Sequence, residues 1–60
     1  MFKATIITPA SRIDVTVRDW NHLEMKGRWV AWYLRTDVTV RQGDMSQYIT
    51  KQNQNPYEVQ

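Results

Sequence analysis

The pentapeptide DVTVR occurs twice in this chain, at residues 14–18 and again at residues 37–41. In each copy two valines alternate with polar side chains, which is the period of a β-strand with one buried and one solvent-exposed face. The first copy lies within the longer alternation RIDVTVR, so we predict strands over residues 12–18 and 37–41. Their valines are expected to point into the core, and their polar side chains toward solvent.

The residues that follow each copy also correspond. Asn21 and Glu24 follow the first copy with the same spacing as Asp44 and Gln47 follow the second. Each pair has the spacing of a helix N-cap and the N3 side chain that reaches back to it in a capping box, so a helix is predicted to begin at each place. Two interpretations stay open: duplication of a strand–helix unit, and independent use of residues that suit a half-exposed strand.

A third strand is predicted upstream of the first copy. Residues 2–8 (FKATIIT) are rich in β-branched side chains and end at Pro9. This composition is typical of a strand, and Pro9-Ala10-Ser11 is typical of a turn. Because the link is so short, strands 2–8 and 12–18 are expected to form an antiparallel hairpin.

The middle of the chain, residues 22–35 (HLEMKGRWVAWYLR), has two interpretations. A helix would have a broad apolar face, with one stripe formed by Leu23, Gly27, Val30 and Leu34 and a neighbouring one by Met25, Trp29 and Trp32. An interior Gly27 opposes the helix by about 1 kcal/mol relative to alanine. The alternative is a turn at Lys26-Gly27 and a strand over residues 28–34, which aromatic and β-branched enrichment favours. Because the capping pattern favours the helix, we predict a main helix over residues 21–35.

The C-terminal part of the chain is predicted to contain a second, short helix over residues 44–52 (DMSQYITKQ). Residues 53–60 have little apolar content and a proline, which predicts a flexible tail after one compact domain at residues 1–52. The expected fold class is α+β, with a small antiparallel sheet of about three strands packed by one main helix and a short C-terminal helix. The alternative is an all-β meander with a terminal helix.

The chain offers few residues for an active site. It has no cysteine, a single histidine (His22) at the expected helix start, and no serine in a nucleophile-elbow context. Zinc would need several histidine or cysteine ligands, calcium a loop dense in oxygen ligands, and phosphate a glycine-rich loop. None of these patterns occurs in the sequence. We therefore expect no enzyme, no cofactor and no metal site.

Aromatic residues in the centre of the chain predict a binding surface. Three tryptophans and three tyrosines are more than a domain of this size is expected to bury completely. Tryptophan, tyrosine and arginine are enriched at the hot spots of protein–protein interfaces. We predict a surface for a partner protein with Trp29, Trp32 and Tyr33 as apolar anchors, flanked by Arg28 and Arg35. The alternative interpretation is that the rings fill a small core.

A second function class is a nucleic-acid-binding regulator, in which rings stack on bases and arginines contact phosphates. Arg12, Arg18 and Arg41 on the exposed strand faces would make the phosphate contacts. Asp14 and Asp37 lie among these arginines and would repel phosphate, so the protein partner is preferred. A homodimer, in which the apolar surplus pairs with a second copy, is a third alternative.

Composition and length indicate where the protein is found and to which class of function it belongs. The chain lacks cysteine, and its longest apolar run, Trp29–Leu34, is far too short for a membrane span. We therefore expect a soluble, cytoplasmic protein. A chain of 60 residues that begins with its own methionine is typical of small regulators or inhibitors, including those of mobile elements. The predicted function is a small non-enzymatic binding module that occupies the surface of a partner protein.

Overall fold

The computed structural model describes residues 1–57, which fold into four strands and one helix. The strands are β1 (Phe2–Ile7), β2 (Arg12–Val17), β3 (Val38–Gln42) and β4 (Met45–Ile49), and the helix α1 (Trp20–Tyr33) connects β2 to β3. The α+β class with an antiparallel sheet and one main helix is confirmed. The sheet has one strand more than expected, in the order β2-β1-β3-β4, and all neighbouring strands are antiparallel. No helix in this part of the chain is long and apolar enough to cross a membrane.

The two DVTVR copies lie on either side of β1. Both pair antiparallel to β1 and therefore run parallel to each other, with Thr5 between Asp14 on one side and Arg41 on the other. The predicted hairpin between β1 and β2 is confirmed, and two hydrogen bonds close its loop. The Thr8 N–H donates to the Ser11 carbonyl at 2.8 Å, and the Ser11 N–H donates to Oγ1 of Thr8 at 2.9 Å.

The valines of both copies point toward α1, as predicted. Val17, Val38 and Val40 are at most 2% exposed, and Val15 packs against them from the edge strand. The buried core is completed by Ala4, Ile6, Leu23, Val30, Ala31 and Ile49. Because α1 packs on one face of the sheet only, the alternating polar side chains of the same strands point to the opposite face.

The N-cap of α1 is Asp19, not Asn21 as predicted. Its carboxylate Oδ1 accepts a hydrogen bond from the His22 backbone N–H at 2.8 Å. The imidazole Nδ1 of His22 in turn accepts from the Arg18 N–H at 3.1 Å. Asp19 suits this place because a carboxylate satisfies an orphan N–H and also interacts favourably with the positive end of the helix. The predicted capping box at Asn21 and Glu24 is therefore wrong, although the predicted helix is confirmed.

Gly27 lies in the interior of α1 because the helix approaches the sheet closely there. A Cβ atom at this position would overlap Cγ1 of Val40 and come within 2.8 Å of Cδ1 of Ile49. The glycine therefore serves packing between the helix and the sheet, and no turn forms at Lys26-Gly27. Residues beyond Gly27 continue the helix to Tyr33, so the alternative strand over residues 28–34 does not form.

The short helix predicted over residues 44–52 is wrong, because this segment contains β4. Gly43 and Asp44 form the two-residue turn between β3 and β4, with Gly43 at φ 60°. A glycine with positive φ at the first turn position is typical of tight hairpins. Met45, Gln47 and Ile49 follow the two-residue period of a strand, so Asp44 and Gln47 form no helix cap. The two DVTVR copies therefore share a strand but not a following helix.

Hydrogen bonds to Asp37, just before β3, hold the end of β4 and the residues that follow it. The Tyr48 hydroxyl donates to Oδ2 of Asp37, and the Lys51 backbone N–H donates to Oδ1 at 2.6 Å. These donors, the Tyr48 hydroxyl first, hold the pKa of the Asp37 carboxyl below its ordinary value of 3.8. The same hydrogen bond raises the pKa of Tyr48 above its ordinary value of 10.0.

The segment that follows Lys51 runs beside α1. Gln52, Gln54 and Pro56 border a groove together with Met25 and Arg28 of the helix. The predicted flexible tail covers residues 53–60, of which residues 58–60 lie outside the described residues.

Candidate interaction surfaces

The outer side of α1 carries several of its large side chains. Trp32 lies nine residues after the fully buried Leu23. At about 100° per residue, this spacing places Trp32 on the side of the helix opposite Leu23. Met25 and Trp29 lie near Trp32 on the same outer side, because they precede it by one to two turns. The Trp32 ring therefore projects away from the sheet but is half-buried, whereas the Trp29 ring reaches back to the core.

Trp29, Trp32 and Tyr33 form one cluster, which is called the aromatic patch. The rings of Trp29 and Tyr33 are stacked, with centroids 4.9 Å apart and planes 8° apart. The Trp32 ring lies 6.3 Å from each of them, tilted. Trp29 also packs against the core, whereas Tyr33 is 63% exposed and Leu34 is 45% exposed. The patch thus contacts the core at Trp29, is half-buried at Trp32 and is open to solvent at Tyr33.

Arg35 ends α1 in a backbone conformation that usually belongs to glycine. Its φ is 56°; its N–H donates to the Trp32 carbonyl at 3.3 Å, and the Thr36 N–H donates to the Ala31 carbonyl at 3.1 Å. These are the two hydrogen bonds of a Schellman motif. For a residue with a Cβ, the left-handed region is strained by about 1–2 kcal/mol.

The side chain of Arg35 lies over the aromatic patch. Its guanidinium carbon is 5.8 Å from the centroid of the Trp32 ring, which is within cation–π range. The residue that ends the helix therefore also covers one edge of the patch. Nothing in the sequence pattern predicted the strained backbone, because arginine at the end of a helix is common.

The predicted partner-binding residues lie on one side of the molecule. Arg28 is on the outer half of α1 and forms a salt bridge with Glu24 at 2.7 Å. Arg28, Trp29, Trp32, Tyr33 and Arg35 are brought together by the last two turns of α1 and its C-terminal cap. The third tryptophan, Trp20, is elsewhere: it packs against the core, and its indole N–H donates to Oε1 of Gln47 at 3.3 Å.

The opposite side of the molecule is the sheet face that α1 does not cover, called the open sheet face. It carries alternate residues of the strands, namely Lys3, Thr5, Ile7, Arg12, Asp14, Thr16, Thr39, Arg41, Ser46 and Tyr48. Of the predicted nucleic-acid contacts, Arg12 and Arg41 border one shallow concavity on this face, and Arg18 is exposed just beyond the end of β2.

Hydrogen bonds order part of the open sheet face. Oδ1 of Asp14 accepts from the Thr5 hydroxyl at 3.3 Å, and Nε of Arg41 donates to the Gly43 carbonyl at 3.1 Å. Lys3 borders the same concavity as Arg41 and was not among the predicted contacts. The sequence could have predicted this position of Lys3, because the alternation FKATII places Lys3 and Thr5 on the face opposite Ala4.

The aromatic patch and the open sheet face point in opposite directions. The nucleic-acid mechanism predicted from the sequence combines stacked rings with arginine–phosphate contacts in one groove. The structure separates these two groups of residues by the thickness of the helix and the sheet. The predicted protein-binding residues, in contrast, share one continuous surface.

Within residues 1–57, no group of three or more histidine, cysteine, aspartate or glutamate side chains is placed to hold a metal ion. The chain matches no protein-family model, no curated protein and no solved structure. Its function is therefore argued from the two surfaces themselves.

Proposed function

We propose that this chain is a non-enzymatic binding module, a small regulator or inhibitor that docks on a partner protein through the aromatic patch. Trp29, Trp32 and Tyr33 are the apolar anchors, and Arg28 and Arg35 contact the rim of the partner's pocket. We place this interaction in the cytoplasm, on the support of a chain without cysteine.

The position of Trp32 carries the proposal. A ring on the side of α1 opposite Leu23 adds nothing to the cover of the sheet, yet it is held in a cluster with two further rings and a guanidinium. Apolar side chains that a monomer does not need for its own core mark binding surfaces when they are contiguous. Tryptophan, tyrosine and arginine are also the residue types that dominate hot spots.

The backbone of Arg35 gives a second, independent support. A glycine at this position would end the helix with less strain, so the arginine favours a role for its side chain. A guanidinium stacked on Trp32 can still present its planar fork to a carboxylate. The expected partner surface therefore combines an apolar pocket with an acidic rim.

The proposal is tested by photo-crosslinking in cells of the source organism. A photoreactive phenylalanine analogue replaces Tyr33 in one variant and Thr16, on the open sheet face, in the other. We expect a protein adduct at Tyr33 and none at Thr16. The captured protein is then purified, and its binding to the wild-type chain and to Trp32→Ala is measured by calorimetry.

Trp32→Ala is expected to weaken binding about 30-fold or more, which corresponds to a hot-spot contribution of about 2 kcal/mol. The matched control is Met45→Ala, which removes a side chain that is 57% exposed and lies outside the patch, and which should bind as the wild type does. If Trp32→Ala unfolds the domain, or if it binds with unchanged affinity, Trp32 is not an anchor and the proposal is wrong.

A second copy of the chain is the alternative occupant of the patch. Sedimentation equilibrium at two protein concentrations distinguishes it from a foreign partner. Association that depends on concentration and is abolished by Trp32→Ala would assign the patch to a homodimer, and a monomer at both concentrations supports the proposed partner protein.

A further inference from the structure

We propose that the open sheet face binds the phosphodiester backbone of a nucleic acid, without reading its sequence, through Lys3, Arg12 and Arg41. This inference uses the side of the molecule opposite the aromatic patch and does not depend on the proposed protein partner. It differs from the mechanism predicted from the sequence, because it requires no stacking of rings on bases.

The excess of positive over negative charge in this chain lies on this face. Its strands carry three basic residues and one acidic residue, Asp14, while Arg18 and Asp37 at its rims add one charge of each sign. The face and its rims thus hold a net charge of +2, which is the formal charge of the whole chain. In the rest of the sequence, four basic and four acidic residues balance. A weakly basic protein therefore has one distinctly basic surface, which attracts polyanions.

The charged groups of this face differ in whether they already form hydrogen bonds or salt bridges within the protein. The carboxylate of Asp14 accepts a hydrogen bond from Thr5, and that of Asp37 accepts two at the rim. The side chains of Lys3 and Arg12 are exposed and form no salt bridge with a described residue. These hydrogen bonds occupy acceptor sites of the two acids without removing their charge, whereas the cations of Lys3 and Arg12 remain available to a ligand.

The register of the sheet spaces the cations for a phosphate backbone. With strands about 4.8 Å apart and a rise of about 3.3 Å per residue, the Cα atoms of Lys3, Arg12 and Arg41 form a triangle with sides of roughly 8, 12 and 14 Å. A nucleic-acid strand carries one phosphate about every 3.4 Å of helix axis, so each cation can reach a different phosphate. The short side chain of Thr16 lies nearby and can donate a hydrogen bond to a phosphate oxygen, whereas the hydroxyl of Thr5 already donates to Asp14.

Other polyanionic partners fit this face less well. The aromatic side chain of this face, Tyr48, is 63% exposed, but its hydroxyl is bonded to Asp37 at the rim. It does not border the concavity, which therefore offers an acidic protein no aromatic anchor. Anionic membrane surfaces are typically bound by clusters of about 4–8 lysines and arginines, and the strands of this face provide three. A repeating phosphate backbone needs only spaced cations and small donors, which this face provides.

The test is fluorescence anisotropy with a labelled duplex and a labelled single strand of arbitrary sequence, titrated at several low salt concentrations. Three phosphate contacts predict that log K falls against log salt with a slope of about −2.7 for the duplex and about −2.1 for the single strand. Lys3→Gln or Arg12→Gln should each reduce the duplex slope by about 0.9. Asp14→Asn should tighten binding, because it removes the repulsive charge at the centre of the face.

A pair of triple variants with equal net charge controls for non-specific attraction. Glutamine at Lys3, Arg12 and Arg41 is expected to abolish binding, with the fold verified by circular dichroism. The control has the same net charge through Lys26→Gln, Lys51→Gln and Gln54→Glu, which lie outside the face and outside the aromatic patch, and it is expected to leave the slope unchanged.

Three outcomes would overturn the inference. The first is the absence of binding at the lowest salt concentration. The second is an equal loss of binding in both triple variants, which would mean that only net charge matters. The third is equally tight binding of poly-glutamate or of phosphatidylserine vesicles, which would identify a general polyanion surface or a membrane surface instead of a nucleic-acid site.

Discussion

The two sides of α1 are built in opposite ways. The side that faces the sheet carries the small residues Gly27 and Ala31 beside Leu23 and Val30. The outer side carries the aromatic patch. A helix that covers a sheet usually turns its apolar stripe inward and its polar residues outward. Here the fully buried part of the inner side is apolar but mostly small, Trp20 packs at its start, and the strands supply most of the buried core.

Because of this difference, the inner side of α1 should determine the stability of the domain, and the outer side should determine the chemistry of its surface. The inner side allows α1 to lie so close to the sheet that even a methyl group at Gly27 would overlap Val40. The rings of the outer side contact one another and Arg35, and of these Trp29 also packs against the core. Substitutions on the inner side should therefore change the free energy of unfolding, and substitutions on the outer side should leave it nearly unchanged.

Leu23→Ala is expected to have the largest effect. Leu23 is fully buried, and removing such a side chain from a core typically lowers the free energy of unfolding by about 2–5 kcal/mol. Since a domain of this size has only about 3–5 kcal/mol to lose, the variant should be largely unfolded at room temperature. Urea unfolding followed by circular dichroism measures the change. A loss below about 1 kcal/mol would show that the inner side is not the stabilising one.

Gly27→Ala should destabilise the domain, although alanine is the better helix former. The gain in helix propensity is about 1 kcal/mol, and the overlap with Val40 should lower stability by about 1–3 kcal/mol. The expected net result is a loss of up to about 2 kcal/mol. Lys26→Ala, one residue away and outside the contact, is the control and should be neutral. If Gly27→Ala were more stable than the wild type, the close approach would be wrong.

Trp32→Ala should change the free energy of unfolding by about 1 kcal/mol or less, the size of a surface aromatic contact. A buried tryptophan would lose about 3–5 kcal/mol. Trp20→Ala is the comparison, because Trp20 packs against the core and should show the greater loss. Thermal melting of the two variants side by side measures the difference. Equal losses would remove the distinction between the two sides of α1.

Arg35→Gly is expected to stabilise the domain by about 0.5–1 kcal/mol, because relief of the left-handed strain exceeds the lost cation–π contact. Arg35→Ala keeps the strain and loses the contact, so it should be slightly less stable than the wild type. The melting temperatures of the two variants separate strain from side-chain contact. Greater stability of Arg35→Ala than of Arg35→Gly would show that the backbone is not strained.

The pH dependence through Asp37 should be the smallest effect, and only its direction is predicted. Because the folded state lowers the pKa of Asp37, its contribution is present above 3.8 and is lost as the pH falls through the lower folded value. Because the folded state raises the pKa of Tyr48, its contribution is present below 10.0 and is lost as the pH rises through the higher folded value. Tyr48→Phe should flatten both limbs of a melting-temperature profile, whereas Tyr33→Phe on the patch should leave the profile unchanged.

Local patterns were sufficient to predict the first three strands and the helix. Val15, Val17, Val38 and Val40 follow the two-residue period, and the hydrogen-bonded ladder then forms where that period indicates. The same local patterns misled at β4, since Asp44 and Gln47 have the spacing of a helix cap. Tertiary pairing with β3 decided that segment, and Gly43 before Asp44 was the neglected signal of a two-residue hairpin turn.

The predicted partner surface could be found in the sequence because its residues are adjacent in the chain. RWVAWYLR puts Arg28, Trp29, Trp32, Tyr33 and Arg35 within about two turns of a helix. The open sheet face could not be assembled this way, since Lys3, Arg12 and Arg41 come from three different strands. Only the strand order and the register bring them together. Gly27 was likewise ambiguous, because the reason for it lies in strands that follow it in the chain.

The two DVTVR copies pair with opposite edges of the same strand, β1, and each brings a valine pair to the inner face of the sheet. The copy in β2 is joined to β1 by a four-residue loop, and the copy in β3 by a connection that includes the whole of α1. Closing the shorter loop loses less chain entropy, so we expect the β1–β2 hairpin to assemble first and to leave one edge of β1 for the second copy. In stopped-flow experiments, Val15→Ala should then slow folding, whereas Val40→Ala should mainly accelerate unfolding.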